Sequence, residues 1–127
     1  MKSNNKEMPV TENCLSNDRI YELLAHRRRR EVLYCLYMYA NPMQLPDVAD
    51  QIAEWEYGSP AHNLTEEALD AYTSLYHSHI PKLADADVVA YDQSEDMVEL
   101  ARNASLLRPH LEQTVKTDLE TTDKDPI

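Results

Sequence analysis

Apolar residues recur at helical spacing along most of this 127-residue chain, and the period changes only once, late and briefly. A helical stripe and a strand alternation bury themselves against different partners. Such a chain must therefore fold as packed helices carrying one small hairpin. Ser16, Asn17 and Asp18 form an N-cap cluster before Ile20, Leu23 and Leu24. The run HRRRR (26–30) starts a second helix with Val32, Leu33, Leu36, Tyr37 and Ala40 on its apolar face, and Asn41-Pro42 stops it. Met43, Gln44 and Leu45 read as an extended link or a one-bridge strand. Pro46 sits where a helix accepts its missing N–H, ahead of Val48, Ala49, Ile52, Ala53 and Trp55. Thr65, Glu66 and Glu67 open a fourth helix whose buried side is expected to hold Leu69, Tyr72, Tyr76, Ile80 and Leu83. Pro81 predicts a kink or a loosened turn in it.

The change of period follows. Val88 to Tyr91 and Met97 to Leu100 read as two strands around a five-residue tip, 92–96. Leu106, Leu107, Leu111 and Val115 mark a last helix that Pro109 either interrupts or begins. The fold class this predicts is mainly α with a small β-hairpin wing, a winged helix-turn-helix. An irregular helical bundle with a surface hairpin is the alternative. The expected organisation is a disordered leader at 1–15, the winged helix-turn-helix domain at 16–101, a dimerisation helix at 102–117 and a disordered acidic tail at 118–127.

Composition excludes several functions. With a single glycine, neither G-x-G-x-x-G nor G-x-x-x-x-G-K-[ST] can be written, so the glycine-dependent nucleotide cradles are absent. A net charge of −11 argues against passive adhesion to nucleic acid or anionic membrane. The carboxylates are spread along the chain, which reads as a surface built for molar salt; an ordinary acidic cytosolic protein is the alternative. Cys14 and Cys35 lie in unlike surroundings and read as reduced thiols. No run of apolar residues is long enough to span a membrane, and a cytoplasmic location is expected.

Three segments carry a resemblance: HRRRREVLYCL (26–36), LPDVADQIAEWEYG (45–58) and SLYHSHIPKLADADVVAYD (74–92). Together they resemble the haloarchaeal branch of the ArsR-like winged-helix regulators, over roughly residues 17–100. YHSHIPKLADADVV (76–89) is the most specific part, similar to a recognition helix running into a wing. The resemblance implies that 65–83 is the recognition helix, that 45–55 is the helix before it and that 92–96 is the wing tip. It also implies a bracing role for the arginines after His26. The chain departs from the family pattern in its longer turn at 56–64 and in Asp87, which stands where a glycine is usual. It departs again in charge: between Glu31 and Ala101 there are fourteen acidic residues and one base, Lys82.

Thr73, Ser74, His77, Ser78 and Lys82 stand opposite the apolar stripe of the fourth helix and could donate to base edges or phosphates; a plain solvated face is the alternative. Arg27, Arg28, Arg29 and Arg30 cover all sides of a helix start, where the dipole disfavours cations. They are expected to pair with carboxylates such as Glu22 or Glu31, or to contact a DNA backbone. Leu107, Leu111 and Val115 form a narrow seam that a two-fold homodimer could cover, setting two recognition helices about one DNA turn apart. His77 and His79, two apart on a helix, point away from each other, and Cys35 is alone, so neither a metal nor another cofactor is expected. Asp70, Ser74 and His77 share a helix, but such spacings are common on polar faces, and no catalytic residue is assigned.

The expected function is a homodimeric transcriptional regulator reading double-stranded DNA. The alternative is a protein-interaction module docking a basic partner. Donors standing clear of carboxylates would favour DNA; Asp70, Asp85 or the wing acids on the same face would favour protein docking.

Overall fold

The structure, a computed structural model, describes residues 15–120. Helix α1 (Asn17–Leu24) starts at Ser16, whose Oγ accepts from the Arg19 N–H at 3.0 Å. It buries Ile20 and Leu23. Helix α2 (Arg27–Met38) is the centre of the molecule, with every residue from Glu31 to Leu36 buried. Strand β1 (Met43–Gln44) leads into α3 (Leu45–Tyr57), which accepts Pro46 in its first turn. Gly58 ends α3 in the left-handed region, at φ 71°, and its N–H reaches the Glu54 carbonyl at 2.8 Å. A 3-10 turn (Ala61–Asn63) then bridges to the long helix.

That long helix is built of three parts. Helix α4 (Thr65–Ser74) passes into a π turn (Leu75–His79), and α5 (Ile80–Asp85) continues it. The loosened turn expected at Pro81 thus lies immediately before it: the Ile80 N–H bonds five residues back, to the Leu75 carbonyl. Pro81 has no N–H to continue a regular ladder and its ring crowds the preceding turn, so one widened turn accommodates it. The wide turn also changes which side chains face inward. Ala71, Leu75, Ile80 and Leu83 are buried. Leu69, expected in the core, is instead 64% exposed, and Tyr72 and Tyr76 are half-buried.

Strands β2 (Val89–Asp92) and β3 (Met97–Leu100) form the hairpin, and β1 pairs antiparallel with β3 to give the sheet order β1-β3-β2. Met43 faces Val98 and Val89 faces Leu100. Asp87 and Asp96 both adopt positive φ, 59° and 57°, which aspartate tolerates better than most residues. The wing rests on the long helix: the Tyr72 hydroxyl donates to Asp96 at 2.8 Å, Tyr91 donates to the other Asp96 oxygen, and Gln93 Nε2 donates to the Tyr76 hydroxyl at 2.8 Å.

Helix α6 (Ala104–Glu120) closes the fold against α2 and runs straight through Pro109. Two expectations fail here. Leu107 and Leu111 are buried in the protomer's own core, and Val115 packs partly buried against it, so the three do not stand as a fully exposed seam. The helix also runs past 117: Asp118, assigned to the tail, lies inside it and is bonded to α2. Leu15, assigned to the leader, packs against the core. Residues 1–14, with Cys14, and 121–127 lie outside the described residues. The molecule is therefore mainly helical with a small three-stranded antiparallel sheet, a winged-helix-like arrangement. No described helix is long and apolar enough to cross a membrane.

Gly58 offers a direct test of the long turn. A Cβ there would meet nothing within 4 Å, so a substitution carries only the backbone cost. Gly58→Ala is expected to lower unfolding free energy by about 1 kcal/mol and Gly58→Asn by less, read from urea denaturation midpoints. An unchanged midpoint for Gly58→Ala would exclude the left-handed cap.

Candidate functional site

Four consecutive helical residues point in four directions, and the arginine run uses them to join the elements around α2. Arg27 donates from Nε to Glu31 at 2.9 Å and from Nη2 to the Asp118 carbonyl at 2.6 Å. Arg28 forks onto both oxygens of Glu56 in α3, each at 2.8 Å, and reaches the long helix through Ser74 Oγ at 2.8 Å and Asp70 at 3.4 Å. Arg30 forks onto Asp118 at 2.7 and 3.1 Å and caps the Leu24 carbonyl of α1 at 2.7 Å. These contacts are bracing contacts. Of the two partners expected from sequence, Glu31 does hold Arg27, while Glu22 bonds Arg19. Glu56 and Asp118 were not found by sequence reasoning, because neither sits at helical spacing from the arginines.

The brace sets its own electrostatics. The Glu56 bond raises the Arg28 pKa above its ordinary value. Burial pulls the Asp118 carboxyl up, but the bonds from Arg30 and Tyr34 outweigh it and hold it below the usual carboxylate range. Burial, with the bond to Asp118, raises the Tyr34 phenol. Glu31 is fully buried, and that burial pushes its carboxyl up to about 7 against the pull of Arg27.

The five residues expected to face DNA do not all stand together. Thr73, His77, Ser78 and Lys82 are exposed on the long helix. Ser74 is turned towards α2 and accepts from Arg28. Glu66, Leu69, Asp70, Pro81 and Asp85 are exposed on the same helix, so carboxylates lie at both ends of the donor row. Asp70 and Ser74 both bind Arg28, which removes them from any nucleophilic arrangement with His77. Beside Leu69 runs an apolar groove between α3 and α4, lined by Pro46, Ala49, Ala61, Ala68 and Tyr72, with Asp50 on its rim. Burial, then Asp47 and Glu54, push the Asp50 carboxyl up. The wing tip beyond Tyr72 adds exposed Asp92 and Glu95.

Among the described residues no three His, Cys, Asp or Glu side chains are grouped to hold a metal. His77 is exposed, while His79 is half-buried with its ring 5.5 Å from that of His26. Cys35 is buried, and burial raises its thiol pKa, so it is a small core residue.

Two variants probe the brace. Asp118→Ala leaves Arg30 and Tyr34 without their carboxylate and should cost about 3–5 kcal/mol, the scale of breaking a half-buried ion pair; a loss under 1 kcal/mol in urea unfolding would exclude the anchoring of α6. Glu31 carries the pH dependence. Its folded pKa lies above the ordinary 4.5, so the fold binds the proton more tightly than the unfolded chain does. Its contribution is fully present below pH 4.5 and is lost as pH rises to about 7. Relative to the native protein, Glu31→Gln should therefore gain stability by an amount on the order of 3 kcal/mol between pH 4.5 and 7.5, measured as paired thermal melts. A constant offset across that window would exclude the raised pKa.

No curated protein and no solved structure matches the chain. A family model does match residues 21–99, which runs from α1 through the last strand of the wing. That span is more than half of the chain, and the protein belongs to this family, described as a domain of unknown function (DUF7344).

Proposed function

We propose that the domain is a winged-helix-like protein-docking module whose partner is basic. One observation carries this reading: Arg27, Arg28 and Arg30 are engaged inside the fold, while the long helix carries Glu66 and Asp70 beside exposed Leu69 and Asp85 at its far end. A DNA reader is expected to turn its cations outward. An exposed leucine in an apolar groove that also holds Asp50, on a helix that exposes Glu66 and Asp70, suits an apolar anchor flanked by Lys or Arg.

A second reading has its own support. Thr73, His77, Ser78 and Lys82 are exposed on the long helix, which the resemblance to ArsR-like regulators makes the recognition helix. Through them the domain would read duplex DNA with few phosphate contacts, and so with a shallow salt slope. The two readings use different ends of one helix and separate by mutation. Fluorescence anisotropy would be measured with a labelled amphipathic Lys/Leu helix, its Glu/Leu counterpart and random duplex DNA, in dilute salt and in 2 M KCl. Docking predicts binding of the Lys/Leu helix alone, weakened at least tenfold by Leu69→Asp and unchanged by Lys82→Glu. Duplex binding lost in Ser78→Glu and Lys82→Glu, with no peptide binding, would overturn docking in favour of DNA. Sedimentation in the same buffers gives the oligomeric state, for which Leu107 and Leu111 no longer supply an interface.

A further inference from the structure

Arg29 is the one member of the arginine run that the brace leaves unused. It is 3% exposed, yet its guanidinium has no hydrogen bond or ion pair among the described residues, and Nε and Nη1 are fully covered. A second orphan lies in the π turn that packs against α2, within electrostatic reach of Arg29. His79 Nδ1, in the π turn of the long helix, is also covered and without a partner. The ring of His79 stands 5.5 Å from that of His26, the residue that begins α2 without a side-chain cap.

We propose that these residues form a binding site for a small inorganic anion, of chloride size, held by the Arg29 guanidinium and His79 at the N-terminal end of α2. A buried guanidinium without a counter-charge costs several kcal/mol, so the fold favours whatever supplies one. The adjacent carboxylate does not. Glu22 attracts Arg29 through space, but it is exposed and its bond goes to Arg19. The charges that act most strongly on His79 are positive: Arg29, His26, Arg28 and Lys82. Burial and these cations push His79 down to about 4, so the ring is neutral with one N–H, which the proposed site assigns to Nδ1. The N-terminal end of α2 adds the positive end of its dipole. The brace bonds of Arg27, Arg28 and Arg30 leave the site untouched, so it does not depend on which partner the long helix binds.

The site has a mechanical consequence. His79 is held within the π turn, next to exposed Ser78 and two residues from exposed His77. An anion bridging Arg29 to His79 ties α2 to the one irregular turn of the long helix. Occupancy would thus stiffen the segment that presents those donors.

The test compares chloride with gluconate at one fixed ionic strength, which keeps general screening constant. Native protein should melt about 4 °C higher in 1 M chloride than in 1 M gluconate, by mass action on the folded state. Arg29→Met removes the cation and fills its space, and should melt at the same temperature in both salts. If Arg29→Met does not fold, His79→Asn takes its place and should halve the chloride effect or more. Crystals soaked in bromide should show an anomalous peak within hydrogen-bond distance of the Arg29 guanidinium and His79 Nδ1. In NMR titration, the His79 pKa should rise with chloride. Equal melts of the native protein in the two salts, a chloride effect that survives in the variants, or bromide absent from this position would each overturn the site and leave a buried water as its occupant.

Discussion

The fold depends on α2 holding its neighbours through charge as well as through apolar packing. Arg30 joins α1 and α6, Arg28 joins α3 and the long helix, and Arg27 returns to Glu31 and the end of α6. Forked guanidinium–carboxylate pairs are directional, so they fix angles that interchangeable apolar contacts leave loose. Their partners are half-buried or better, which makes them costly to break even where their net contribution to folding is small. The helix dipole opposes cations at the start of α2, and the brace offsets that penalty with carboxylates from three other elements. This arrangement also decides what the outside looks like, because the basic residues it uses are withdrawn from the surface.

The second constraint is Pro81. A proline in the middle of a helix removes one backbone bond and crowds the turn before it. Here the helix is not broken, because a π turn takes up one additional residue and the chain continues to Asp85. The rotation it introduces turns Leu75 and Ile80 inward together and leaves His77 and Ser78 facing solvent. Upstream of it, Leu69 is pushed to the surface while Tyr72 and Tyr76 reach sideways to the wing. One backbone irregularity therefore separates exposed Leu69, with Glu66 and Asp70, from exposed His77, Ser78 and Lys82, while Asp85 keeps an acid at the far end as well.

Much of the fold was legible because helical spacing and caps are local signals. Ser16, Pro46, Gly58 and the Asn41-Pro42 stop all act within a turn of where they stand. The hairpin was legible because the period changes where Asp87 and Asp96 turn the chain. What stayed hidden was long-range. A seam of Leu107, Leu111 and Val115 looks the same in sequence whether it meets α2 or another chain; only the three-dimensional contact of α6 with α2 decides it. Asp118 looked like one more acid in a charged tail, and its role appears only when Arg30 and Tyr34 are brought to it across some ninety positions of sequence. Leu69 was misplaced because a constant helical period was carried across a turn that does not have it.

The distribution of charge has a further consequence for salt. Arg19–Glu22, Arg28–Asp70, Arg102–Asp87 and Arg108–Glu112 each have a well-exposed carboxylate and each contributes about 0–1 kcal/mol at most. The pairs to Glu31, Glu56 and Asp118 are shielded by protein and are screened far less. Added salt therefore acts on the two populations to different degrees. It weakens repulsion among surface carboxylates carrying a net charge of −11, and it leaves the brace nearly intact. Because the stronger pairs are shielded and the excess carboxylates are exposed, this chain is expected to gain stability as ionic strength rises, until the Debye length falls to about 3 Å near 1 M and the repulsion is screened.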